Sequence, residues 1–272
     1  MIDSLPVEIS DQVNKACNII NKHLGSTLAA VHLYGSATDG GLKPYSDIDL
    51  LVTVNEHPNE EVRRALMLDL LSVSAPPGKD GKLRALEVTV IVYSEVVPWR
   101  YPPRRVLQLG EWLRKDILEG NIEPAMEDKD LTILLMQARE HGLALIGPEA
   151  RDMFEPVPEE DFYKVLSDAP RLWTKPEDWI GDERNIMLTL ARIWYSIETG
   201  RIAPKDTAAS WLLERLPAEH RPILHKVRQA YLGLCEDSFD ADGKEVESFM
   251  RYSNKAIARL LDERHFNHDS KM

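Results

Sequence analysis

A Gly-Ser dipeptide closes one apolar run, and ten residues later an acid pair heads a second. No other feature of this chain constrains it as tightly. The residues are Leu33-Tyr34-Gly35-Ser36 and Asp47-Ile48-Asp49-Leu50-Leu51-Val52. Side chains alternate along a strand, so Asp47 and Asp49 share one face while Ile48 and Leu50 share the other. Two adjacent acids repel each other, and a hard divalent cation reverses that penalty. Mg²⁺ prefers carboxylate oxygens and keeps positions open for phosphate. A turn at Gly35-Ser36 supplies backbone N–H groups, a hydroxyl and close approach for that phosphate. Ser46, next to Asp47, either donates to a phosphate or simply caps its turn. The spacing predicts a metal-dependent nucleotidyl-transfer site.

A third acid, Glu87, lies inside Ala85-Leu86-Glu87-Val88-Thr89-Val90-Ile91-Val92-Tyr93, a β-branched run that predicts a strand. An ionised carboxylate buried without partners is costly, so Glu87 should face a metal, a cation or a cleft. The bland alternative is a glutamate salt-bridged on the sheet surface. Facing a hydroxyl substrate, Glu87 is placed to be the general base. His32, inside the first strand, reads as a packed core residue.

Composition narrows the partners. The net charge of −12 argues against a nucleic-acid substrate. It suits a cationic small molecule. Cys17 and Cys235 are too few and too far apart for a disulfide framework, which predicts a cytoplasmic protein. The stretch Met1–Pro6 does not read as a signal peptide, and no apolar run is long enough to span a membrane.

Along the chain, periodicity predicts a helix over Val7–Leu24 and strands over Leu28–Tyr34, Asp47–Val54 and Ala85–Tyr93. A helix is expected to open near Pro58 and run to Leu71, broken by a loop over Ala75–Gly81. A further strand is expected near Val106–Leu113 and a helix over Asp128–His141. The proline-rich, acidic stretch Glu155–Asp161 reads as a linker. Beyond it the long periodic segments are helical: Glu183–Thr199, Lys205–Leu216, Pro222–Leu234 and Gly243–Asp262. An α/β half, residues 1–157, is therefore expected to precede an all-α half, residues 158–272.

Glycine-serine followed by acid-x-acid resembles the signature of the polymerase-β-like nucleotidyltransferase superfamily. A more specific resemblance comes from the helical half. Gly181-Asp182-Glu183-Arg184-Asn185-Ile186-Met187-Leu188-Thr189-Leu190-Ala191-Arg192-Ile193-Trp194-Tyr195 is similar to the aminoglycoside 3″/9-adenylyltransferases. So is Thr199-Gly200-Arg201-Ile202-Ala203-Pro204-Lys205-Asp206-Thr207-Ala208-Ala209-Ser210-Trp211. Arg84–Val90 and Gly110-Glu111-Trp112-Leu113-Arg114 fit the same family.

The resemblance implies a nucleotidyltransferase-like mixed sheet with helices, followed by a helical bundle. It implies two Mg²⁺ ions held by Asp47, Asp49 and Glu87. ATP would be bound by Gly35, Ser36, Ser46, Arg192, Lys205 and Tyr231. Streptomycin or spectinomycin would lie against Trp112, Trp173, Asp178 and Asp182, of which Trp173 and Asp178 match members that accept streptomycin. Asn185 stands where some relatives carry histidine. Read without the family, Arg192 is a solvated or salt-bridged helix residue and Trp173 is core, while Tyr231 reads equally as a core residue or as one flanking the nucleotide. A monomer acting on small molecules, with neither nucleic acid nor membrane as partner, is expected. The rival readings are the same fold with a protein or RNA acceptor, or a nucleotide-binding regulator.

Overall fold

The structure, a computed structural model, describes residues 5–77 and 82–269. Residues 1–4 of the N-terminal stretch and residues 78–81 of the expected 75–81 loop lie outside the described residues. The chain divides into two compact units, residues 1–158 and 159–272.

Among the described residues the first unit carries seven strands: β1 (Leu28–Tyr34), β2 (Ile48–Val54), β3 (Leu86–Val92), β4 (Arg104–Arg105), β5 (Leu107–Leu109), β6 (Met126–Glu127) and β7 (Leu143–Ile146). Five of them form one sheet in the order β5-β3-β2-β1-β7, and β4 pairs with β6 in a small ribbon. The sheet is mixed. β2 and β3 run parallel, and the other neighbours run antiparallel. A parallel pair needs a crossover connection. Helix α2 (Glu60–Leu71) supplies it.

Helix α1 (Val7–Leu24) packs with α2 on one face of the sheet. There Val31, Leu33, Leu50, Val52, Val88 and Val90 meet Ile9, Val13, Ile20, Leu66, Met67 and Leu70. After two shorter helices, α3 (Tyr93–Val96) and α4 (Arg114–Glu119), helix α5 (Leu131–His141) covers the other face, followed by α6 (Ala150–Met153). On that side Tyr34, Leu51 and Ile91 pack with Leu131, Leu134, Leu135, Ala138 and Phe154. His32 is fully buried, and its Nε2 lies 2.9 Å from the Pro148 carbonyl oxygen, as expected of a core histidine.

Several boundaries differ from expectation. Asn59, not Pro58, opens α2: its side chain accepts the Val62 N–H at 2.9 Å, as N-cap residues do. The strand expected to reach Leu113 stops at Leu109, because Glu111–Leu113 turns into a 3₁₀ helix. α5 begins at Leu131, three residues late, and β7 had no counterpart in the expectation.

The second unit is helical: α7 (Glu159–Asp168), α8 (Glu183–Thr199), α9 (Lys205–Leu213), α10 (Arg221–Tyr231) and α11 (Gly243–Asp269). α7 begins inside the expected linker, and α11 runs seven residues past Asp262. α8 is the axis of the unit. It packs against α9, α10 and α11. It buries Ile186, Met187, Leu188, Leu190, Ala191, Ile193, Trp194 and Ile197, a broad apolar face that leaves a polar stripe through Asn185, Thr189 and Arg192. Gly200 ends it in the left-handed conformation at φ 69°, where a side chain would be strained. No helix of the described residues is long and apolar enough to cross a membrane.

Candidate active site

Strand register brings the acids together. Tyr34 on β1 pairs with Asp49 on β2, and Asp49 pairs with Glu87 on β3. Directly paired residues point to the same side of a sheet. A phenol and two carboxylates therefore form a row across three strands. Glu87 is the only residue of β3 that is not fully buried. Asp47 sits one residue before β2, half-buried like Asp49 and Glu87. Gln108 on β5 approaches from the far side, its Nε2 3.5 Å from Glu87 Oε1, a long contact for a hydrogen bond.

Tyr34 was not foreseen from the sequence as part of this row. Burial, and then the negative charges of Glu87 and Asp49, push its pKa well above the ordinary tyrosine value. It stays a neutral phenol at physiological pH, so it is no base. Its position immediately before Gly35 was the only signal available for it.

Gly35 is required by contact as well as by conformation. Its φ is +70°, and a Cβ there would overlap Asp49 Oδ2 and lie 2.9 Å from Asp49 Cγ. The backbone therefore reaches the carboxylate directly. Ser36 follows in the same 3₁₀ turn, Gly35–Ala37, half-buried. Ser46 does cap its turn: the Lys43 N–H donates to its hydroxyl at 2.9 Å. A hydroxyl that accepts one bond still has its own proton to donate. Arg84 pins the turn by donating to the carbonyls of Lys43 at 2.8 Å and Ser46 at 3.0 Å. That fixes the segment presenting Asp47.

Trp112 lies in the turn after β5 and is 58% exposed, unusual for an indole. Neighbouring Glu111 is held by Arg114 at 2.6 and 2.8 Å and by the Ser74 hydroxyl.

The donor set Asp47, Asp49 and Glu87 is all oxygen, which fits Mg²⁺ and not the softer metals. No group of three or more His, Cys, Asp or Glu among the described residues forms a ready-made metal cage. An ion that takes one or two carboxylates and completes its shell with phosphate and water needs no such cage.

In the second unit Asp182, Asn185 and Lys205 form a hydrogen-bonded series. Lys205 Nζ donates to Asn185 Oδ1 at 2.6 Å, and Asn185 Nδ2 donates to Asp182 Oδ2 at 3.2 Å. Arg192 stands half-buried on α8, and Tyr231 is buried at the end of α10. Trp173 is half-buried outside any helix, and its carbonyl accepts from Asn254 at 2.7 Å. Asp178 has a structural task that sequence reasoning missed. Its Oδ2 accepts the N–H groups of Thr174 at 3.0 Å and Lys175 at 3.1 Å. The Thr174 bond, despite some opposing burial, holds its pKa below the ordinary aspartate value.

Carboxylates in register on neighbouring strands, beside a Gly-Ser turn that touches one of them, define a nucleotidyltransferase. Residues 14–113 match the family model described as a nucleotidyltransferase domain. Residues 152–256 match the model described as the aminoglycoside adenylyltransferase C-terminal domain. An aminoglycoside (3″)(9) adenylyltransferase of Escherichia coli is 53% identical, covering 96% of this chain and 99% of the relative. A spectinomycin 9-adenylyltransferase of Staphylococcus aureus is 39% identical, covering 94% and 97%. The solved structure of a spectinomycin adenyltransferase from Enterococcus faecialis, with ATP and spectinomycin, superposes at a TM-score of 0.85. It is 31% identical and covers 91% of this chain and 98% of its own. The chain belongs to the aminoglycoside (3″)(9) adenylyltransferase family, and it is an adenylyltransferase.

Proposed function

We propose that this enzyme transfers AMP from ATP to a hydroxyl of streptomycin (3″) and of spectinomycin (9), giving resistance to both. The observation that carries the reading is the Asp49–Glu87 register pair beside Gly35. The near full-length identity to enzymes named for this activity supports it.

Asp47, Asp49 and Glu87 are the residues that would hold Mg²⁺, and the bound ions would neutralise the triphosphate and orient it. Gly35, Ser36 and Ser46 offer N–H and hydroxyl donors to phosphate oxygens. Arg192 and Lys205 add the fixed positive charge a triphosphate calls for, and Tyr231 flanks the nucleotide. Glu87 takes the proton of the acceptor hydroxyl. That oxygen attacks the α-phosphorus of ATP, and pyrophosphate leaves. Catalysis is mainly positioning and charge neutralisation. Trp112, Trp173, Asp178 and Asp182 receive the drug, with carboxylates for its cations and indoles for its apolar sugar faces. The enzyme works as a monomer in the cytoplasm, where ATP is made, and nucleic acid is not a partner.

The test is incubation with ATP, Mg²⁺ and each drug separately. Pyrophosphate release and a drug mass increased by one AMP are expected. A chain that modifies neither drug is not the enzyme proposed.

A further inference from the structure

An exposed indole normally wanders among rotamers, so a platform made of one needs something to hold it. Gly110 provides the seat. It follows β5 in an extended conformation, φ −156° and ψ 157°, that any residue adopts, so backbone freedom does not explain the glycine. Space does. A Cβ at position 110 would overlap Cη2 and Cζ3 of Trp112, and even Cε3 would stand only 2.6 Å away. Non-bonded carbons rest about 3.5–4.0 Å apart. The six-membered ring therefore occupies the space in which a Cβ of residue 110 would stand, and no residue with a side chain leaves it there.

The location gives the seat its meaning. The last register pair of β3 and β5 is Val88 with Leu109. One step further sets Gly110 beside Glu87. The turn bearing Trp112 is anchored from below. Arg114 grips the Glu111 carboxylate and also donates to the carbonyls of Leu71 at 3.2 Å and Ser74 at 2.9 Å. The Ser74 hydroxyl bonds Glu111 and accepts the Leu86 N–H at 3.0 Å, one residue before Glu87. The indole and the catalytic carboxylate are thus registered to each other through rigid backbone. A ring face anchored this way stacks on the apolar face of a sugar or aminocyclitol.

We propose that Gly110 is a positioning residue for the acceptor: it seats the Trp112 indole as a fixed platform beside Glu87, setting how the acceptor ring is offered to the base. This rests on the aminoglycoside reading for the identity of the acceptor, whereas the seat itself rests on geometry alone.

The experiment is a double-mutant cycle with Gly110→Ala, Trp112→Ala and the pair, read by melting temperature and by steady-state kinetics. Gly110→Ala and Trp112→Ala should each raise the KM for the drug about ten-fold and leave the KM for MgATP within about two-fold. The pair should be no worse than Trp112→Ala alone, because removing the ring also removes the overlap. Any fall in melting temperature from Gly110→Ala should likewise disappear in the pair. Additive effects, or a pair as unstable as Gly110→Ala alone, would overturn the proposal. So would a Gly110→Ala enzyme whose two KM values rise together. If the wild type modifies neither drug, the functional reading fails, and the melting-temperature cycle still decides the seat.

Discussion

Glu87 is the one half-exposed residue in a strand whose other positions are all buried, and it stands directly opposite Asp49, a like-charge pairing that costs stability until a cation is bound. In its proposed role of general base, with Asp47 and Asp49 still present to hold Mg²⁺, it should matter to transfer far more than to nucleotide binding. Glu87→Gln is expected to lower kcat by about 10²–10⁴-fold while MgATP affinity changes little. Near wild-type turnover at neutral pH would remove it from the role of base. Asp178 carries a subtler lesson. Its carboxylate braces the turn at Thr174 and Lys175, so Asp178→Ala mixes a charge effect with a broken turn. Asp178→Asn keeps an oxygen to accept those N–H groups and removes only the charge. Streptomycin bears two guanidinium groups and spectinomycin only amines. Asp178→Asn and Trp173→Ala should therefore impair streptomycin modification about ten- to a hundred-fold and spectinomycin far less. Parallel losses for both drugs, with a lowered melting temperature, would assign both residues to structure alone. Glu87 was legible in the sequence because an acid inside an apolar strand is conspicuous. Tyr34 and Gln108 were not, since their place beside the acids is set by strand pairing rather than by residue type.

At the scale of elements, the turn after β5 departs most from expectation. The apolar run Val106–Leu113 reads as one strand, yet Glu111 leaves the sheet to meet Arg114 and Ser74. Burial alone would raise the Glu111 pKa, but the bonds from Arg114 and Ser74 outweigh it and hold the value below the ordinary 4.5. A carboxyl with a lowered folded pKa stabilises the fold above its unfolded pKa, and that contribution is lost as pH falls through the folded value. The melting temperature of Glu111→Gln should therefore sit below wild type at neutral pH. The gap should narrow only below pH 4.5. A gap independent of pH down to acid unfolding would show that the charge does not matter. β7 escaped notice for a different reason: Leu-Ala-Leu-Ile is four residues long, and a short apolar run has no period that separates strand from helix. The core of the helical unit was legible because α8 is long enough for its period to be counted.

For the molecule as a whole, the net charge of −12 acts at a distance on a cationic acceptor and on an anionic nucleotide in opposite senses. Salt screens such fields over about 10 Å at 0.1 M. Raising NaCl from low to high ionic strength at saturating MgATP should therefore raise the KM for streptomycin several-fold. A KM flat across that range would confine the attraction to short, desolvated contacts. That an α/β part precedes a helical part was legible as a change in periodicity. What composition could not convey is the order in which the sheet is completed. β1 pairs with β7, Val31 with Ile146 and Leu33 with Leu143, so the strand that leads into Gly35 has a neighbour more than a hundred residues away. Distant pairings close late, after the entropy of a long loop has been overcome. On a ribosome, the hairpin of β1 and β2 can form early, but one edge of β1 stays open until residue 146 has emerged. A nascent chain halted before that point exposes an unpaired apolar strand edge, the kind of surface to which chaperones and other unfinished chains bind.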